Sequence, residues 1–190
     1  MMDILPAGNY RKRRWLNGLG LSWDIAAEPE NAAANDFGWR LALAQIDASV
    51  AFSHYAGVDR IFTLIEGDGL DLVFNGRDVL KVDRCFVAHE FPGDIETACV
   101  LKGSPCRALN LFVRRKAWQA SVRIIHAPEP FTLASQETTL AFALRGAFRL
   151  AGGALLKCGD TLRISPGANL KAEPQSPEAV LYVAALTPVR

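Results

Sequence analysis

The sequence predicts an all-β fold made of two similar jelly-roll barrels. Three observations predict it. Short runs alternate or are rich in β-formers, sharp turn residues punctuate them, and one strand–turn–strand pattern occurs twice. A barrel closes its own edges, which a chain so rich in strands needs.

The elements follow in order. Trp39-Arg40-Leu41-Ala42-Leu43-Ala44-Gln45-Ile46 alternates as a strand does. Arg60 to Ile65 is a short run of β-formers, broken at Glu66-Gly67-Asp68-Gly69. Leu70 to Phe74 resumes a strand, and Asn75-Gly76 turns it, because both residues tolerate positive φ. Ala108 to Val113 is a further strand. Glu28 to Asp36 is interrupted by Pro29 and lacks an apolar stripe, so it reads as a loop with at most one helical turn. The repeat pairs Phe62–Gly67 and Leu70–Leu72 with Ala141–Gly146 and Phe148–Leu150. Gly76 ends one copy, and Gly152-Gly153 the other. The second copy runs on through Gly159-Asp160 into Thr161-Leu162. Ala120 to Thr132, with Pro128 and Pro130, is the expected join. It gives halves of 1–120 and 133–190 inside a single domain spanning 1–190.

Totals narrow the function. The chain has 190 residues, 50% apolar and 22% charged, a globular balance that can bury a core without staples. Its net charge is +1. A nucleic-acid binder carries a larger, clustered excess, so no nucleic-acid partner is expected. The one basic cluster, Arg11-Lys12-Arg13-Arg14, reads as a solvated lead-in to the first strand, the sharper reading being an anion contact. The cysteines Cys85, Cys99, Cys106 and Cys158 show no two-residue spacing; buried free thiols in a reducing cytoplasm are expected. No export leader is read at the N-terminus, where charges follow a very short apolar run. No apolar stretch approaches the ~20 residues that span a bilayer, so no membrane partner is expected.

A family resemblance rests on five stretches, one of them Trp39-Arg40 with the alternating residues that follow, which is similar to the family's strand after its opening motif. Trp15-Leu16-Asn17-Gly18-Leu19-Gly20-Leu21-Ser22-Trp23-Asp24-Ile25 resembles the opening motif of the HutD/Ves family. Phe52-Ser53-His54-Tyr55-Ala56-Gly57-Val58-Asp59-Arg60 is similar to its Phe-Ser, Gly and Asp-Arg signature. Phe91-Pro92-Gly93-Asp94 resembles its Phe-x-Gly-Asp turn, and Asn110 with Arg114-Arg115 resembles the close of its first half. Leu19 breaks the family's run of glycines, and Ala108 stands where an acidic residue is usual. The resemblance implies a bicupin linked to histidine utilisation. It implies a regulator or sensor of an intermediate such as formylglutamate or urocanate.

The candidate site is one for anions. Many cupins bind a metal through two close histidines, a carboxylate and a distant histidine. Here His54, His89 and His126 form no close pair, and His89 and Glu90 point to opposite faces of a strand. No metal and no cofactor are expected. Ser53, His54 and Asp59 lack a nucleophile elbow. Arg40 sits mid-strand, Arg60 precedes a core strand and Arg114 ends one. A guanidinium meets a carboxylate in two parallel hydrogen bonds, so these three are candidates to hold one. Asn17, Ser53 and Asn110 would orient its polar remainder, and Gly18 would let backbone approach it. The competing reading makes Asp59-Arg60 and Arg40 internal ion pairs that fix the barrel. The resemblance assigns Arg60 and Asn110 to a site.

The expected function is metal-independent binding of a small carboxylate metabolite by a cytoplasmic protein. Fold analogy supplies the expectation of a homodimer. The alternative is a metal-free enzyme on a small carboxylate or imidazole-derived substrate, with Glu66, Asp94 or His54 as its acid or base.

Overall fold

A computed structural model describes residues 1–33, 35–127 and 129–189. Pro128 of the expected join and Ala34 of the expected loop lie outside the described residues. The chain opens with β1 (Met2–Leu5) and a single 3-10 turn at Ala7–Asn9. Then come β2 (Arg11–Arg14), β3 (Leu21–Glu28), β4 (Trp39–Ile46), β5 (Val50–Ala51), β6 (Val58–Glu66) and β7 (Leu70–Phe74). These are followed by β8 (Asp78–Val82), β9 (Ala88–Pro92), β10 (Thr97–Leu101) and β11 (Cys106–Arg114). The rest is β12 (Trp118–His126), β13 (Phe131–Ala134), β14 (Thr138–Arg145), β15 (Phe148–Leu150) and β16 (Leu155–Leu156). It closes with β17 (Thr161–Ile164), β18 (Asn169–Pro174) and β19 (Val180–Pro188). The predicted all-β class holds.

The chain divides into two compact units, residues 11–118 with Val189, and residues 1–10 with 119–188. The first ten residues differ from the expected halves, because β1 pairs antiparallel with β17. Tyr10 adds a hydroxyl bond to Thr161 Oγ1 at 2.8 Å. Complementary backbone at a distant strand edge decides this, and no local pattern carries it.

The 11–118 unit has a six-stranded sheet ordered β2-β3-β4-β11-β6-β9 and a four-stranded sheet ordered β5-β10-β7-β8. Ile46, Phe62 and Leu64 of the first sheet pack with Leu70, Leu72, Val82 and Cys99 of the second. Phe52 belongs to that cluster and Trp15 packs against it. The other unit sets β1-β17-β14-β19-β12 and β13-β18-β15-β16 around Ala141, Leu162, Leu181 and Val183 on one side and Phe148, Leu156 and Leu170 on the other. Its interior is filled by its own aliphatic and aromatic side chains.

Turn chemistry behaves as predicted at Asn75 and Gly76, whose φ values of 50° and 68° give the two positive angles of a tight hairpin. The basic run Arg11–Arg14 is itself strand β2, paired residue by residue with Arg14↔Leu21 through Arg11↔Asp24 of β3. The lead-in reading is corrected by that pairing. Cys99 and Cys106 are buried, but Cys85 and Cys158 are exposed, against the expectation of buried thiols. Cys158 follows Lys157 and precedes the Gly159 turn, where apolar neighbours in sequence do not amount to a core. Among the described residues no helix is long and apolar enough to cross a membrane.

Candidate functional site

Residues directly opposite in neighbouring strands point to the same face. On the six-stranded sheet this aligns Arg40 with Phe112, Phe112 with Arg60, and Arg60 with Phe91. The next row reads Asp24, Ala42, Asn110, Phe62, and the one after it Ser22, Ala44, Ala108, Leu64. The alanines and the serine leave space where larger side chains would close the barrel. A narrow pocket with a cavity volume of about 20 Å³ forms there. Arg40, Ala42, Ala44, Arg60, Asn110 and Phe112 make its floor. Phe52, Ser53 and Tyr55 come from the loop after β5, and Arg13, Arg14 and Trp15 from β2 and the turn that follows.

Arg60 is only 4% exposed, and its guanidinium lies 4.7, 5.1 and 5.0 Å from the rings of Phe52, Phe91 and Phe112. Its Nε donates to Asn110 Oδ1 at 3.3 Å. Among the described residues no carboxylate is paired with it. Burial pushes its pKa down from the ordinary arginine value to about 9, with Tyr55 opposing and Arg40 adding to the shift. It therefore stays a cation at neutral pH. Arg40, 3% exposed, donates from Nη2 to the Tyr55 hydroxyl at 3.1 Å and lies 4.5 Å from the Phe112 ring centroid. Its Nε is 3.8 Å from Asp24 Oδ1, and Asp24 Oδ2 accepts from Arg13 Nε.

The ion-pair reading thus holds for Arg40, which has Asp24, and fails for Arg60. Asp59 and Arg60 are adjacent on a strand and point to opposite faces. Asp59 Oδ1 instead accepts from Arg115 Nη2 at 2.8 Å. Arg115 also donates to Asp94 at 2.7 Å, and its hydrogen bonds hold the Asp94 carboxyl down to about 2. Asp94 Oδ2 in turn accepts from the Gly57 N–H at 3.1 Å. This cluster braces the loop that carries Ser53 and Tyr55.

Of the sequence candidates, Arg40, Ser53, Arg60 and Asn110 meet in the pocket. Asn17 and Gly18 do not line it. Asn17 Nδ2 donates to Ala51 O at 2.8 Å and its Oδ1 accepts from Leu19 N at 3.1 Å, while Gly18 takes the φ of 73° that this turn requires. Arg114 is also outside the pocket. It donates to Phe37 O at 3.1 Å and Asn35 O at 2.8 Å, so its fork is committed to loop carbonyls. Among acid–base candidates, Glu66 pairs with Arg107, Asp94 with Arg115, and His54 faces Asp94 O; none lines the pocket. Sequence reasoning set aside the anion-contact reading of Arg13 and Arg14, and missed Trp15 and Tyr55. The signal for the first three was available in the basic run's position just before an Asn-Gly-bearing turn, the mark of a hairpin strand.

The residues do not fit a metal. Guanidinium nitrogens have no lone pair to give, and among the described residues no three His, Cys, Asp or Glu side chains cluster. What the pocket can do is hold an anion between aromatic walls.

Comparison with known proteins gives one family. The HutD family model matches residues 7–182. An uncharacterised 21.2 kDa protein in the hutC 3' region of Pseudomonas putida is 32% identical over 145 residues, 75% of this chain and 73% of that protein. Protein Ves of Citrobacter koseri is 33% identical over 139 residues, 72% and 69% of the two chains. HutD from Pseudomonas fluorescens SBW25, solved in a formate condition, has a TM-score of 0.84 at 25% identity over the full length of both chains. YhhW of Escherichia coli, at 10% identity and a TM-score of 0.73 over 100% of this chain and 99% of that one, shares the cupin-type fold alone.

Proposed function

The chain belongs to the HutD family, and on that premise we propose that it binds a small carboxylate without a metal, as a sensor or regulator of histidine utilisation. Arg60 carries this reading. It is a buried cation that faces a pocket and has no counter-ion among the described residues. A buried charge costs several kcal/mol unless it is paired, so an anion from solution completes the site. Arg40 lies beside it and shares Asp24 with Arg13, whereas Arg60 has no carboxylate beside it among the described residues, which makes Arg60 the principal seat. The hutC-region relative supports a ligand from histidine breakdown, of the formylglutamate or urocanate type, met in the cytoplasm.

The test is a thermal-shift titration against formylglutamate, urocanate, formiminoglutamate, histidine and glutamate, without added metal. A ligand at about 100 times its Kd adds roughly 2.7 kcal/mol. For a domain of this size that is a shift of about 5–10 °C. No shift with any of them at millimolar concentration overturns the proposal.

The brace beneath the loop gives a second expectation. Arg115→Ala frees the Asp59–Asp94 cluster without touching the pocket. It is expected to weaken carboxylate binding several-fold, roughly 0.5–2 kcal/mol, measured by isothermal titration. Unchanged affinity shows that the loop holds its shape without Arg115.

A further inference from the structure

A cavity of about 20 Å³ has room for roughly one water, and a carboxylate group by itself is larger. One wall therefore moves when a ligand enters. The floor is fixed, because β4, β11 and β6 are each paired on both sides. The loop after β5 is held by the Phe52 N–H on Thr97 O and the Tyr55 N–H on Gly93 O, both at 2.8 Å, with the Arg115 cluster beneath. The third wall is Trp15, carried by the turn between β2 and β3. Arg13 anchors the start of that turn, donating to Asp24 and to Ala32 O. Beyond Arg13 the turn is tied chiefly to itself. The Trp15 N–H donates to Gly20 O at 3.0 Å, the Gly18 N–H to Trp15 O at 2.9 Å, and Trp15 Nε1 to Leu21 O at 3.0 Å. Asn17 fastens it to the neighbouring loop, donating from Nδ2 to Ala51 O at 2.8 Å and from its N–H to Ser53 Oγ at 3.3 Å. The indole meets Phe52 edge-on at 5.5 Å and lies against Gly20, where a Cβ would stand 2.6 Å from the ring.

We infer that the turn from Trp15 to Gly20 is the lid of the pocket, with Asn17 as its latch and Gly20 as the seat of the indole that closes it. This rests on the carboxylate reading above and adds how that ligand enters and leaves. Swung outward, the indole leaves Phe52 and widens the pocket by its own volume. The motion breaks the two Asn17 bonds and one aromatic contact, and no strand of the barrel has to part. Leu16 and Leu19 stand exposed on the outside of the turn, so no packed side chain opposes it there. The lid also accounts for two residues that do not line the pocket. Asn17 holds the turn down through its amide and shapes it by accepting from the Leu19 N–H. Gly20 has no side chain to keep the indole from lying flat.

The experiment is stopped-flow binding of formylglutamate to the full chain, read by tryptophan fluorescence, in the parent, Asn17→Ser and Gly20→Ala. Serine keeps an oxygen for the Leu19 N–H but is too short to reach Ala51 O, and alanine at position 20 pushes the indole off its seat. Neither change adds charge or touches a residue that lines the pocket. Loss of one hydrogen bond shifts an opening equilibrium by about two- to tenfold. Association and dissociation rates are therefore expected to rise together by about that factor in Asn17→Ser, with Kd changed far less. Gly20→Ala is expected to speed both steps in the same way. Faster dissociation with unchanged association makes the turn a fixed wall and overturns the lid, as do unchanged rates. Amide hydrogen exchange of the ligand-free parent tests the lid independently of any ligand. The Trp15 and Gly18 amides are expected to exchange at least about tenfold faster than those of Phe52 and Tyr55. Equal protection overturns the lid. Absence of formylglutamate binding with fast exchange of the turn counts against the carboxylate reading and leaves the moving wall in place.

Discussion

Arg60→Met is expected to abolish carboxylate binding and at the same time raise the stability of the fold. The guanidinium sits among Phe52, Phe91 and Phe112 with one neutral hydrogen-bond partner, Asn110. Methionine has a similar length, needs no counter-ion and makes favourable sulfur–aromatic contacts. Replacing an uncompensated buried charge by an apolar group of like volume stabilises proteins by about 1–3 kcal/mol. For a chain of this size that raises Tm by roughly 2–4 °C per kcal/mol. Stability lost here for function is the usual trade at a binding site. Thermal unfolding and isothermal titration on the same preparation check both halves. A variant that is less stable than the parent shows that the guanidinium holds the barrel, and the scaffold reading then returns.

The same residue sets a pH dependence. Its folded pKa of about 9 lies well below that of an unperturbed arginine. Between those values the unfolded chain keeps a proton that the folded chain has released. The stability penalty of Arg60 is therefore full below pH 9 and is relieved as pH rises from there. Carboxylate affinity moves the other way, flat through neutral pH and falling as pH climbs past about 9. The advantage of Arg60→Met over the parent narrows over the same range. Titrations of binding and of Tm between neutral pH and pH 10 read both trends, and a flat affinity across pH 9 contradicts them.

Asp24→Ala is expected to destabilise by about 3 kcal/mol, the usual loss when one partner is removed from a buried ion pair. Asp24 touches both Arg13 and Arg40 at the pocket edge. Without it, Arg40 faces Arg60 across the Phe112 ring with less compensation. Two consequences separate this from a loss of packing. The carboxylate ligand stabilises the variant more than the parent, since it supplies the missing charge. Combining Asp24→Ala with Arg60→Met costs less than the two single effects added together, because a like charge has gone. Strict additivity in unfolding experiments rules out the electrostatic account.

The strand plan was legible because it is written locally. The alternation of Trp39–Ile46 and the apolar run of Leu70–Phe74 each give a strand with the predicted bounds. Asn75-Gly76 gives the hairpin because the need for positive φ is met by the residues at the turn itself. The HutD resemblance was legible for the same reason, since its motifs are short and their order is preserved. The candidate site was legible in part. Period-two alternation tells that Arg40, Ala42 and Ala44 share a face, and that Arg60 and Asp59 do not.

Which strand lies beside which is decided only in three dimensions. Register between β4, β11 and β6 puts Arg40 and Arg60 on either side of Phe112, although they lie in separate strands. Pairing of β2 with β3 turns a basic lead-in into one wall of a pocket. Charge partners are settled the same way: Asp59 looks local to Arg60 in sequence but meets Arg115 across the sheet. The sequence by itself determined the all-β class, the turns, the family and the residues able to hold an anion. Tertiary structure alone decided which of those residues converge, which are spent bracing loops, and that Arg60 is left without a counter-ion among the described residues. The physical reason is range. Backbone preference and alternation act over a few residues, whereas pairing register, burial and charge compensation depend on residues brought together from dozens of positions apart.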